Sequence, residues 1–210
     1  MGKTNLAVRI ALALASTVAP AVAGAQTSGT DSVVYEFSPA SQLDVRTGKA
    51  GLLGFAGHEH LIRARVFSGR VIYHPAGPAA SRFEIVIQAG GLEVLTPPDT
   101  EEIRKVTAAL RTDVLDAASY PEIRFASRSV ALREGRAHVV GALTIKGQTR
   151  DVPIDAQVEI GRDTLRATAT FAIKQTDFGI RPYRGGPGGT VRVADKMTFE
   201  IRAVAIRDGL

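Results

Sequence analysis

Apolar and polar side chains alternate along most of the chain beyond Val33. In RFEIVIQA, Phe83, Ile85 and Ile87 share one face and Arg82, Glu84 and Gln88 the other; in EIRFASRS, Ile123 and Phe125 oppose Glu122, Arg124 and Arg128. A period of two is that of an extended strand with one buried face. The pattern recurs in HVVGALTIK, RDVPIDAQVEI, DTLRATATFAIK and DKMTFEIRAVAI, and near the N-terminus in VVYEFS and QLDVRT. Glu134-Gly135, Lys146-Gly147-Gln148 and Gly161-Arg162-Asp163 separate runs and are short enough for hairpins. Sequential strands are therefore expected to be antiparallel neighbours. About eight of them predict an all-β fold, an eight-stranded antiparallel up-and-down barrel, with a two-sheet sandwich as the alternative.

Two segments break the alternation. After Pro97-Pro98, Asp99 or Thr100 can cap a helix with Glu101 and Glu102 in its first turn and Ile103, Val106 and Leu110 at helical spacing. Its apolar stripe is expected on the barrel's mouth or flank, followed by a short turn over Asp113 to Ala117 before Pro121 restarts a strand. RPYRGGPGGT, Arg181 to Thr190, reads as a loop; no Gly-Lys-Ser/Thr element follows to make it a phosphate cradle.

Composition narrows the setting. The N-terminus has a secretory leader pattern: Lys3 and Arg9, an apolar run from Ile10 to Val22, and Ala23-Gly24-Ala25 as a small-residue cleavage site. Residues 1–25 read as the leader, 26–32 as a disordered tail and 33–207 as one domain. No later segment is long and apolar enough to span a membrane. The absence of cysteine excludes disulfides, so a domain outside the cytoplasm would hold together by packing alone. Losing Lys3 and Arg9 with the leader brings the formal charge from +5 to +3. With no dense basic run and no aromatic-basic interleaving, nucleic acid is not an expected partner.

The candidate chemistry is concentrated in GFAGHEHLIRARVFSGRV. In an extended chain His58, His60, Ile62, Ala64 and Val66 share one face while Arg63 and Arg65 point to solvent. The apolar members mark that face as interior, which puts the two histidines at the wet end of a greasy row and suits the head of an amphipathic ligand. A metal site would need a third ligand. His138 falls on an outward face, and His74 is at the far end of a strand running straight through Ser68 and Gly69, about 45 Å away at 3.3 Å per residue. The simplest alternative has both histidines bonded to backbone at the rim. No Gly-x-Ser-x-Gly or His-Glu-x-x-His element is present, and Asp177, the best isolated carboxylate, reads as a turn residue.

Several segments together resemble the YceI-like family of periplasmic lipid-binding proteins. ASYPEIRFASRSV (Ala118 to Val130), GALTIKGQTRDVPI (Gly141 to Ile154) and KQTDFGI (Lys174 to Ile180) are similar to three of its motifs in order and spacing. FSGRVIYHP looks like its long second strand and VADKMTFEI like its last, so the likeness covers Val33 to Val204. Members commonly carry a histidine directly before the serine that opens the first strand, where this chain has Ala40 before Ser41; Gly57-His58-Glu59-His60 resembles a branch with a G-H-x-H segment. The resemblance implies a lipocalin-like barrel holding a polyisoprenoid or fatty-acid derivative.

On this reading the lumen is lined by Ile62, Ala64 and Val66; Phe83, Ile85 and Ile87; Ile123 and Phe125; Leu143 and Ile145; Ile154; Leu165, Ala167, Ala169, Phe171 and Ile173; and Phe199 and Ile201. The small residues Ala64, Ala156, Ala167 and Ala169 leave room inside. His58 and His60, with Arg181, Tyr183 and Arg184, are candidates for contact with a phosphate or carboxylate head. The expected partner is an amphipathic lipid, with no catalytic residue, no metal and no other cofactor; the oligomeric state is open, a dimer included. The alternatives are a metal-dependent or redox-linked periplasmic enzyme using His58 and His60, and a solid barrel that binds a partner protein.

Overall fold

A computed structural model describes residues 32–50, 59–96, 100–185 and 191–209. Its strands are β1 (Val33–Phe37), β2 (Gln42–Ala50), β3 (His60–Ala64), β4 (Phe67–Tyr73), β5 (Arg82–Gln88), β6 (Leu92–Val94), β7 (Glu122–Arg133), β8 (Arg136–Ile145), β9 (Gln148–Ile160), β10 (Thr164–Lys174), β11 (Arg184–Gly185) and β12 (Val191–Arg207). Helix α1 (Thr100–Ala109) runs on into a π-turn over Leu110–Val114.

Hydrogen bonding follows β1, β4, β5, β7, β8, β9, β10 and β12, and β12 returns to β1, every pair antiparallel. This is a closed eight-strand barrel, and the sandwich alternative falls away. Closure leaves no free edge around the ring. The Glu134-Gly135 and Lys146-Gly147 turns have positive φ at both central residues, the mirror-image turn whose twist matches paired strands.

Three barrel strands are broken into pieces. β1 and β2, two separate runs in the sequence pattern, lie end to end along β12. At their junction the Ser41 hydroxyl takes the place of the missing ladder: Oγ donates to the Val204 carbonyl and accepts from the Val204 N–H, each at 2.9 Å. β3 and β4 are separated at Arg65-Val66, and β5 and β6 at Ala89–Gly91, where the two bends face one another through Arg65 N–H to Gly91 O and Gln88 N–H to Val66 O.

These breaks open one seam. β5 pairs with β7, but β6 pairs with β3 and, among the described residues, has no strand on its other side. Helix α1 packs there instead. The Thr107 hydroxyl accepts the Val94 N–H at 3.2 Å, and the Arg111 guanidinium donates to the Leu92 carbonyl at 3.0 and 2.7 Å. Backbone groups that a neighbouring strand would have satisfied are thus met by helix side chains, as buried peptide groups require. Lys146 Nζ donates to the Val114 carbonyl and anchors the end of the π-turn.

Candidate functional site

The inward faces enclose a cavity of about 760 Å³, within the roughly 300–1,000 Å³ of ligand pockets. It runs from Val106, Leu110 and Val114 of the helical segment to Tyr73, Ser81 and Arg82 at the opposite end of the barrel. Its width comes from small side chains in register. Ala137, Ala156 and Ala169 face one another across β8, β9 and β10, and Ala167 lies beside Ala203 of β12. Aromatic pairs brace the rest of the wall: Phe83 stacks on Phe125 with centroids 5.2 Å apart, and Phe171 on Phe199 at 4.8 Å. The Phe125 ring occupies the space over Gly141, where a Cβ would stand 2.1 Å from the ring tip.

Ile62, Ala64, Phe83, Ile85, Ile87, Ile123, Phe125, Leu143, Ile145, Ile154, Leu165, Ala167, Ala169, Phe171, Phe199 and Ile201 all border this cavity. Two residues assigned to the lumen do not. Val66 is 52% exposed. The strand breaks before it, so the inward parity passes from Ala64 to Phe67 and leaves Val66 outside, against Gly91. Ile173 is 8% exposed but belongs to the packed apolar cluster and does not border the open space.

The parity argument also misses wall residues. Ser127 pairs with Gly141 and Ser129 with Val140, so Arg128 is an extra residue in β7. Such a bulge flips the alternation, and Val130 and Leu132 join the wall from even positions after Ile123 and Phe125 from odd ones. The switch of apolar residues from odd to even within EIRFASRSVAL was the available signal. Val106 and Leu110 reach the cavity from the predicted helical stripe, and the π-turn brings Val114 to the same side.

Ser81 and Arg82 border the cavity at the far end, and a second group of polar side chains borders it at the helix end. His60 borders it with Nδ1 hydrogen-bonded to the Thr96 carbonyl at 2.9 Å, and its N–H donates to Thr47 Oγ1 at 3.2 Å. Gln175, 5% exposed, also borders it and donates from Nε2 to the Ala194 carbonyl at 2.7 Å. That carbonyl belongs to a bulge in β12, where Val193 pairs with Lys49 but Met197 with Thr47. The next residue, Asp195, accepts from the Thr176 N–H and hydroxyl at 2.9 and 2.8 Å, and the N–H bond holds its carboxyl below the ordinary value. KQTDFGI therefore latches onto VADK. Nothing in the sequence marked Gln175, because a polar residue at a strand end reads as solvent-facing.

Tyr183 is at the same end: its carbonyl accepts the Val193 N–H, and its ring borders the cavity while remaining 57% exposed. Arg181 and Asp177 are exposed. Arg184 contributes backbone to β11, and His58 lies outside the described residues. His74 is at the opposite end even though the strand does not run straight to it. Arg63, on the outer face, is no free cation: Nε and Nη2 each meet a carboxylate oxygen of Asp44 at 2.7 Å, which raises the guanidinium pKa. Among the described residues no three metal-ligating side chains converge.

A closed antiparallel barrel around an apolar cavity, with a helix across a seam in its wall, defines a cavity-bearing β-barrel protein. The chain matches the YceI-like domain over residues 41–205 and belongs to that family. A UPF0312 protein of Pseudomonas syringae pv. tomato is 31% identical over 142 residues, covering 64% of this chain and 69% of that one. Burkholderia cenocepacia BcnA superposes with a TM-score of 0.61 at 21% identity, over 80% of this chain and 98% of that one. A polyisoprenoid binding domain from Saccharophagus degradans, implicated in plant cell wall breakdown, also gives 0.61, at 13% identity over 83% and 98%. These two structures share the fold.

Proposed function

We propose that this protein is a periplasmic carrier that holds one long-chain amphipathic lipid, a polyisoprenoid or fatty-acid derivative, in its barrel and performs no chemistry on it. The observation that carries the reading is the cavity of about 760 Å³, whose wall from Leu165 to Ile145 is built of aliphatic and aromatic side chains. Transfer of a hydrocarbon tail into such a space is driven at roughly 0.8 kcal/mol per methylene, less the cost of ordering the chain. Membership of the YceI-like family and the likeness to a polyisoprenoid binding domain favour the same ligand class. The leader pattern in residues 1–25 favours an extracytoplasmic site of action. An open cavity also argues against the solid barrel.

The test is native mass spectrometry with lipid extraction and metal analysis on full-length protein recovered from a bacterial envelope. One co-purified single-chain lipid per protein is the expected result. Stoichiometric metal with no lipid would overturn the carrier reading and favour the histidines as ligands.

A further inference from the structure

At the helix end of the cavity three polar side chains each have one group fixed by the protein and one remaining. Thr96 O can only accept, so His60 Nδ1 carries the hydrogen and Nε2 is the ring atom left for a ligand. Thr47 Oγ1 accepts from the His60 N–H, and its own hydroxyl hydrogen has no acceptor among the described residues. Gln175 Nε2 is held by the Ala194 carbonyl, and Oε1 has no protein partner among the described residues. Thr47 and Gln175 are 7% and 5% exposed, and all three side chains border the cavity. Thr47 and Gln175 flank one short piece of β12, and His60 pairs with Thr47 from β3: Thr47 pairs with Met197, and Gly48 comes so near Ala194 that an added Cβ would stand 3.3 Å from the alanine's own.

Resting on the carrier reading, we infer that Thr47, His60 and Gln175 form a subsite that selects a neutral hydroxyl head over an ionised carboxylate or phosphate. A hydroxyl both donates and accepts, so it can give its hydrogen to Gln175 Oε1 or His60 Nε2 while accepting from Thr47. A carboxylate or phosphate offers acceptors alone and would set its charge against the lone pairs of Gln175 Oε1. Burial without a partner makes that mismatch costly. Among the described side chains, the cations near this end do not reverse the preference. Lys105 borders the cavity, but its ammonium is bonded to Glu101 at 2.7 Å and its side chain is 74% exposed, and Arg181 is exposed.

The experiment uses the full mature chain and three probes: fluorescent cis-parinaric acid, the alcohol made by reducing its carboxyl group, and a plain hydrocarbon competitor. At neutral pH the wild type is expected to bind the alcohol about tenfold more tightly than the acid, the equivalent of one well-made hydrogen bond. Thr47→Val and Gln175→Leu should each bring the two affinities within about threefold while leaving the hydrocarbon unchanged. Comparing variants with wild type separates the subsite from the different solubilities of the probes. Acid binding as tight as alcohol in the wild type, or an alcohol-to-acid ratio that neither folded variant alters, overturns the inference and leaves the carrier reading standing. Failure of all three probes to bind overturns both.

Discussion

Filling the alanine wall should empty the barrel of ligand without unfolding it. Ala167 faces Val158 on one side and Ala203 on the other, and Ala169 faces Ala156 and Ile201, so Phe at either position sends its ring into the open space. Two phenyl rings occupy the room of about ten methylenes, and at roughly 0.8 kcal/mol each, excluding half of them from burial removes about 4 kcal/mol of binding. That is about a thousandfold in Kd. The double variant Ala167→Phe/Ala169→Phe is compared with Thr168→Phe, which places the same ring on the exposed outer face of the same strand. Fluorescent polyene uptake and lipid retention in native mass spectrometry read the effect; circular dichroism and thermal melts establish the fold. The double variant should be folded and empty, and Thr168→Phe folded and loaded. A folded double variant binding within tenfold of wild type would refute the placement of ligand against β10.

Two other outcomes follow from single groups. Ser41→Ala leaves the Val204 N–H without its acceptor, while the Val204 carbonyl keeps its bond from Ser38 N–H, so the loss is about 2 kcal/mol, or 4–8 °C in Tm, by urea and thermal unfolding; a change under 0.5 kcal/mol would show that the bend between β1 and β2 does not need its staple. Asp195 has its carboxyl pKa lowered by the Thr176 N–H, so its contribution is complete above the ordinary aspartate range and is lost as pH falls through the depressed value; wild-type stability should therefore fall on acidification below about pH 4 more steeply than that of Asp195→Asn, and parallel profiles would refute the latch.

The fold was legible because each strand buries one face, and a period of two survives whatever the neighbours do. Phe83, Ile85 and Ile87 announce their side of β5 from the sequence alone. What stayed hidden depends on partners. Arg128 is an extra residue only relative to β8, and Val66 turns outward only because Arg65 bonds to Gly91 across a second bend. The helix was readable from its caps and stripe, but its role in satisfying β6 required knowing that β6 loses its neighbour. Gln175 is the hardest case: its burial follows from a carbonyl freed by a bulge in another strand, and no local pattern encodes that.

Most of the barrel wall is stitched by peptide groups, which every residue but proline carries, so its side chains can change through evolution without unpicking the seams. At the edge of β6 the stitching is done by Thr107 and Arg111. Drift at those two positions alters the wall itself, so this short border is the part of the barrel whose closure depends on which side chains are present.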